Sequence, residues 1–106
     1  MKKIMATIQL TDLIKEEPEG VYSAFCTELG LATCAKSFKE AERRLDKAIT
    51  LVLNTATENG EIWDLLREKN IPVYHSFEYD SPRSYSFLMT PNEWASPSFH
   101  KIVAGV

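Results

Sequence analysis

The stretch from Ser37 to Gly60, SFKEAERRLDKAITLVLNTATENG, constrains the fold more than any other part of the chain. Phe38, Ala41, Leu45, Ala48, Ile49, Val52 and Ala56 recur at spacings of three and four, so a helix gathers them into one apolar stripe. Lys39, Glu40, Glu42, Arg43, Asp46 and Lys47 then face water. Ser37 and Glu40 form a capping box, in which each side chain satisfies a backbone donor left open by the first turn. Asn59 and Gly60 supply the left-handed residue that stops the far end. Such a stripe has to be buried against a second layer.

That layer precedes the helix. Ile4, Ala6, Ile8 and Leu10 alternate with Met5, Thr7, Gln9 and Thr11, the period-two pattern of a strand with one buried face. Lys15 to Gly20, KEEPEG, is read as a charged turn, because proline removes a ladder donor and glycine favours reversal. Val21 to Glu28 is expected as a second strand and Leu31 to Ala35 as a third, joined through Gly30. Tyr22, Ala24 and Cys26, with Ala32 and Cys34, are expected on the helix side, where small residues allow close approach. The fold class is therefore α+β: a small antiparallel sheet of three to four strands with a long helix on one face. A sheet covered on one side leaves a face and an edge for another chain.

After Gly60, EIWDLLREKN reads as a shorter second helix packed on the same face and ended by Lys69, Asn70 and Pro72. Val73 to Tyr79 and Ser84 to Met89, separated by Ser81 and Pro82, are expected to form a hairpin. Seven of the eleven aromatic residues fall in 71–106, which is unlike a disordered tail, so this segment is expected to pack on the core, a second copy or a partner.

At 106 residues, with 44% hydrophobic and 25% charged residues, the chain is sized for one domain, with residues 4–74 as its core and 75–106 as an aromatic-rich extension. A net charge of −3 argues against a surface built mainly to neutralise phosphates. No apolar run approaches the roughly 18 residues needed to cross a bilayer, so no membrane association is expected and a cytoplasmic location is. In that reducing setting Cys26 and Cys34 read as two buried thiols rather than a disulfide. Together with the distant His75 and His100 they match no zinc spacing, and no metal or cofactor site is expected.

Several residues invite a chemical reading. Asp12, Glu16, Glu17 and Glu19 suggest a metal cluster, but they crowd into one turn, whereas two-metal sites draw carboxylates from several elements. Lys39, Arg43 and Lys47 follow one another at four-residue intervals and offer a strip for nucleic-acid phosphates, diluted by Glu40, Glu42 and Asp46. His75 and His100 lack an assignable nucleophile beside them, so no catalytic residue is expected. Trp63 and Trp94 suit a core as well as an interface.

The segment from Glu28 and Leu29, through the short strand to Cys34, and on to Ser37, Glu40, Ala41, Leu45, Ala48 and Ile49 resembles the HicB-like antitoxins. The second helix and the Ile71-Pro72-Val73 exit are similar too, so the resemblance covers roughly residues 4–74. It implies a partial ribonuclease H fold without nuclease activity, and a partner: a small basic toxin of the HicA kind, whose RNA-cleaving site is masked. Two departures stand out in the turns, Ala35 where the family often has glycine and a lone Gly30 where it has proline and glycine. A larger one is the end of the chain. Residues 77–106 show no pair of amphipathic helices and only Arg83 and Lys101 as strong bases, so the family's DNA-binding extension is not expected. The expected function is steric masking of a basic partner through Glu16, Glu17, Glu19 or Glu28 and exposed apolar groups, by a chain that forms a homodimer. The alternatives are an RNA-binding module using Lys39, Arg43 and Lys47, a self-associating domain, and a small enzyme built on the histidines or carboxylates.

Overall fold

In the computed structural model, residues 3–75, 87–90 and 93–105 are described. The chain runs β1 (Lys3–Glu17), a 3-10 turn (Pro18–Gly20), β2 (Val21–Cys26), β3 (Leu31–Ala35), α1 (Phe38–Glu58), α2 (Ile62–Glu68), β4 (Val73–His75), β5 (Phe87–Thr90) and β6 (Glu93–Gly105). It is an α+β fold with one antiparallel sheet of six strands, in the order β3-β2-β1-β6-β5, and β4 pairs with β1. The three to four strands expected for the sheet become six among the described residues because β4 and β5, in the segments expected as a hairpin, join it together with β6, which is not among those expected.

β1 is the spine. One of its edges pairs with β6 along its length, from Lys3 opposite Gly105 to Lys15 opposite Glu93. The other edge is shared: β2 takes Asp12 to Glu17 and β4 takes Ala6 to Ile8. Gln9 N–H donates to the Pro72 carbonyl (3.2 Å) and Thr27 N–H to the Thr11 carbonyl (3.1 Å), bridging the gap between those two partners.

Both helices lie on one face. Ala6, Ile8, Leu10 and Ile14 of β1 are buried with Ala24 and Cys26 of β2, Ala35 of β3 and Ile102 of β6. Against them pack Ala41, Leu45, Ile49, Leu53 and Ala56 of α1, and Ile62 and Leu66 of α2. α1 begins where the capping box placed it, with Ser37 Oγ accepting from Glu40 N–H at 3.1 Å.

Four expectations are corrected. Lys15, Glu16 and Glu17 are not turn residues: β1 continues through them, and the reversal is confined to Pro18–Gly20, where Glu19 (φ 70°) and Gly20 (φ 75°) adopt left-handed backbone. On β3 the helix-facing set is Leu31, Thr33 and Ala35, and Ala32 and Cys34 are exposed. The turn after Cys26 pairs it with Leu31, and one residue of register flips every side chain to the other face. Cys34 is therefore an exposed thiol, and only Cys26 is buried. Finally, the described parts of the expected hairpin pair elsewhere, β4 with β1 and β5 with β6. Its turn at Ser81-Pro82, with Arg83, lies outside the described residues.

Candidate functional site

The acidic residues expected to meet a partner are spread over different parts of the sheet. Glu16 faces the helix side and accepts from Tyr22 Oη at 2.9 Å. Glu17, on the opposite face, accepts from Ser23 Oγ at 3.2 Å, and Glu19 is exposed in the turn. Glu28 is committed to the fold. Its carboxylate accepts from Thr11 N–H (2.8 Å), Thr11 Oγ1 (3.0 Å) and Thr27 Oγ1 (2.9 Å), filling the gap that β2 leaves on β1.

Lys39, Arg43 and Lys47 are all exposed on α1. Arg43 is bound to Glu40, with Nε donating at 3.1 Å, and Arg44 also reaches Glu40 (3.3 Å). The strip is therefore a mixed ion-paired face, which weakens its field for phosphates. Arg44 also donates to the carbonyl of Cys34 at 2.9 Å, so a carbonyl of the outermost strand is already satisfied.

On the face away from the helices, Met5 (50%), Phe25 (40%) and Val103 (48%) stay exposed. They share this face because Met5 lies opposite Val103 and Phe25 opposite Leu13, out of phase with the buried residues of β1. Glu17 closes one end of the same face.

The helix side holds a second feature that the sequence reading missed. Asp12 stands in phase with Ile8, Leu10 and Ile14, so β1 presents a carboxylate in the row that faces α1. Opposite it, Ser96, Ser98 and His100 of β6 project toward the same side. Ser98 Oγ donates to Asp12 Oδ1 at 3.2 Å and lies 3.1 Å from His100 Nε2. His100 Nδ1 in turn lies 3.8 Å from Asp46 Oδ1 on α1. Burial pushes Asp12 up to about 6, helped by the charges of Glu28, Asp46 and Glu42. Burial also lowers His100, only partly opposed by Asp46, so the imidazole is neutral at pH 7.

Asp12, Ser98 and Asp46 open on a cleft of about 870 Å³ between α1 and β6, whose lining also includes Ile14, Phe38 and Trp94, whereas His100 is not part of that lining and reaches it only through Ser98. Phe38 makes edge-to-face contacts with Trp94 (5.5 Å) and Tyr22 (6.3 Å), which gives the cleft an aromatic wall. Trp94 thus lines a cleft, and Trp63 packs on the edge of the core. The signal for this site was present as the Ser-x-Ser-x-His spacing of a strand, and as one acidic residue in phase with an apolar row.

Among the described residues no group of three or more histidine, cysteine, aspartate or glutamate side chains is placed to hold a metal ion, and no helix is long and apolar enough to cross a membrane. No protein-family model matches the chain, and neither a curated protein nor a solved structure matches it.

Proposed function

We propose that this chain is a protein-binding domain of the HicB-like antitoxin kind, which masks a small basic RNA-cleaving partner. The observation that carries the reading is the one-sided sheet: both helices cover one face, while Met5, Phe25 and Val103 remain exposed on the other with Glu17 at its end. Exposed apolar groups suit a protein partner because burial supplies affinity, and with Glu17 matched on this face by the exposed Lys15 and Lys101, the case for a basic partner rests on the overall charge of the chain. The net charge of −3 and the exposed Glu19 favour the same class of partner. The partial ribonuclease H fold, the cytoplasmic location and a homodimeric state belong to this reading.

The test is titration of a HicA-like toxin with the chain, followed by calorimetry and by protection of RNA from cleavage. The expected result is stoichiometric binding that is weakened at least about tenfold by Phe25→Asp and more modestly by joint reversal of Glu17 and Glu19 to lysine. Binding unchanged by Phe25→Asp removes the sheet face from the interface. RNA captured by the chain alone, with a steep loss on adding salt, supports the alternative based on Lys39, Arg43 and Lys47.

A further inference from the structure

The cleft between α1 and β6 lies on the other side of the sheet from the proposed docking face, and what it holds is independent of that reading. We propose that Ser98 is a nucleophile, activated by His100 with Asp46 as a positioning residue, and that it accepts the acyl group of small neutral esters.

Three observations carry this. Ser98 Oγ has a proton acceptor at hydrogen-bond distance on either side, His100 Nε2 at 3.1 Å and Asp12 Oδ1 at 3.2 Å. The imidazole has its other nitrogen 3.8 Å from a carboxylate, Asp46, so a positive charge on the ring meets a negative one across a short gap. And Ser98 opens on a cleft with room for a small ligand and an aromatic wall of Phe38 and Trp94. Nucleophile, base and orienting acid thus come from two elements, β6 and α1, packed side by side.

The chemistry balances without any further reagent. The Ser98 hydroxyl turns its proton from Asp12 to Nε2 of the neutral imidazole, whose own proton is on Nδ1, and that proton is taken as Oγ bonds to the ester carbonyl carbon. The tetrahedral intermediate collapses, the bond to the alkoxy oxygen breaks, and the leaving alcohol carries away the proton from Nε2. Water then attacks the acyl-serine by the same route, releasing the acid and restoring Ser98. The imidazolium formed in each half is held beside Asp46. Burial, which keeps His100 unprotonated at neutral pH, leaves Nε2 free to act as the base. The lining is of mixed charge, with Asp12, Glu40, Glu42 and Asp46 outnumbering Lys39 and Arg43, so it selects against anionic acyl groups only weakly, and the aromatic wall favours apolar ones.

The experiment uses the whole chain with a fluorophosphonate probe, peptide mapping by mass spectrometry, and release of nitrophenol from p-nitrophenyl acetate. The expected result is an adduct on Ser98, absent in Ser98→Ala, that forms at least about tenfold more slowly in His100→Gln. In the unmutated chain its rate should climb with pH through a midpoint below the ordinary histidine value. Asp46→Asn should keep the adduct and move that midpoint lower, an effect that a merely structural Asp46 would not produce. The proposal is overturned by a Ser98 adduct forming no faster than in the urea-unfolded chain, or by a flat pH profile. It is equally overturned by labelling that survives His100→Gln but disappears in Asp12→Asn, which would make Asp12 the base.

Discussion

Thr11 and Glu28 are joined twice, by backbone N–H to Oε1 at 2.8 Å and by hydroxyl to Oε2 at 3.0 Å, across a separation of 17 residues. A side chain thus stands in for a strand at the one place where β1 has lost β2 and not yet met β4. Glu28→Ala leaves the Thr11 N–H without that acceptor, and hydrogen bonds to charged groups are worth about 1.5–3 kcal/mol. Urea unfolding should show a loss of about 2 kcal/mol for Glu28→Ala, and less for Glu28→Gln, whose amide oxygen still accepts.

Asp12 and His100 pull stability in opposite directions as pH changes. Asp12 is raised to about 6 in the folded chain, so folding favours its protonated form. Its contribution is full below the ordinary aspartate range and is lost as pH rises through about 6. Asp12→Asn should therefore raise the unfolding midpoint at pH 7.5, with the advantage closing by about pH 4. His100 is lowered, so its contribution is present above the ordinary histidine range and fades as pH falls through it. His100→Gln should flatten that acid limb. Thermal melts at intervals across this range check both.

Leu45 and Leu51 sit six residues apart on α1 with opposite environments, 1% and 68% exposed. Leu45→Ala opens a cavity against the sheet and should cost about 2–5 kcal/mol. Leu51→Ser touches nothing buried and should stay within about 0.5 kcal/mol of the unmutated chain in the same denaturant titration.

The two thiols should separate cleanly by reactivity. Cys34 is exposed on the outermost strand, while Cys26 is fully buried and pushed up to about 11, chiefly by that burial. Iodoacetamide at pH 8 should add one group per native chain, at Cys34, and two in urea.

The helices and the first strands were legible because local signals agreed with tertiary demand. The apolar stripe of α1, its Ser37 cap and the alternation of Ala6, Ile8 and Leu10 all point to one packing. β6 is not expected from the sequence, because Ser96, Pro97 and Ser98 interrupt any apolar alternation along it. Pro97 is tolerated because it lies opposite Thr11, whose N–H and carbonyl both bond on the other edge, to Glu28 and Thr27. The ladder asks nothing of the missing donor there. The face of β3 depended on the register imposed by the turn after Cys26, and alternation cannot supply a register. The cleft depended on β6, so Asp12 was read as part of a charged turn when its neighbours 86 residues away in sequence were not yet in place.

The pairing of β1 with β6 has a consequence for the order of events during synthesis. Among the described strands β1 leaves the ribosome first, and the partner that covers one of its edges from Lys3 to Lys15 follows all the others. Until then β1 can recruit only β2 and later β4, and a long row of its backbone groups waits for any strand that offers itself. Closing so large a loop is slow, so final consolidation should lag well behind formation of α1. The nascent chain would pass through a stage in which helper proteins or a neighbouring copy can compete for that edge.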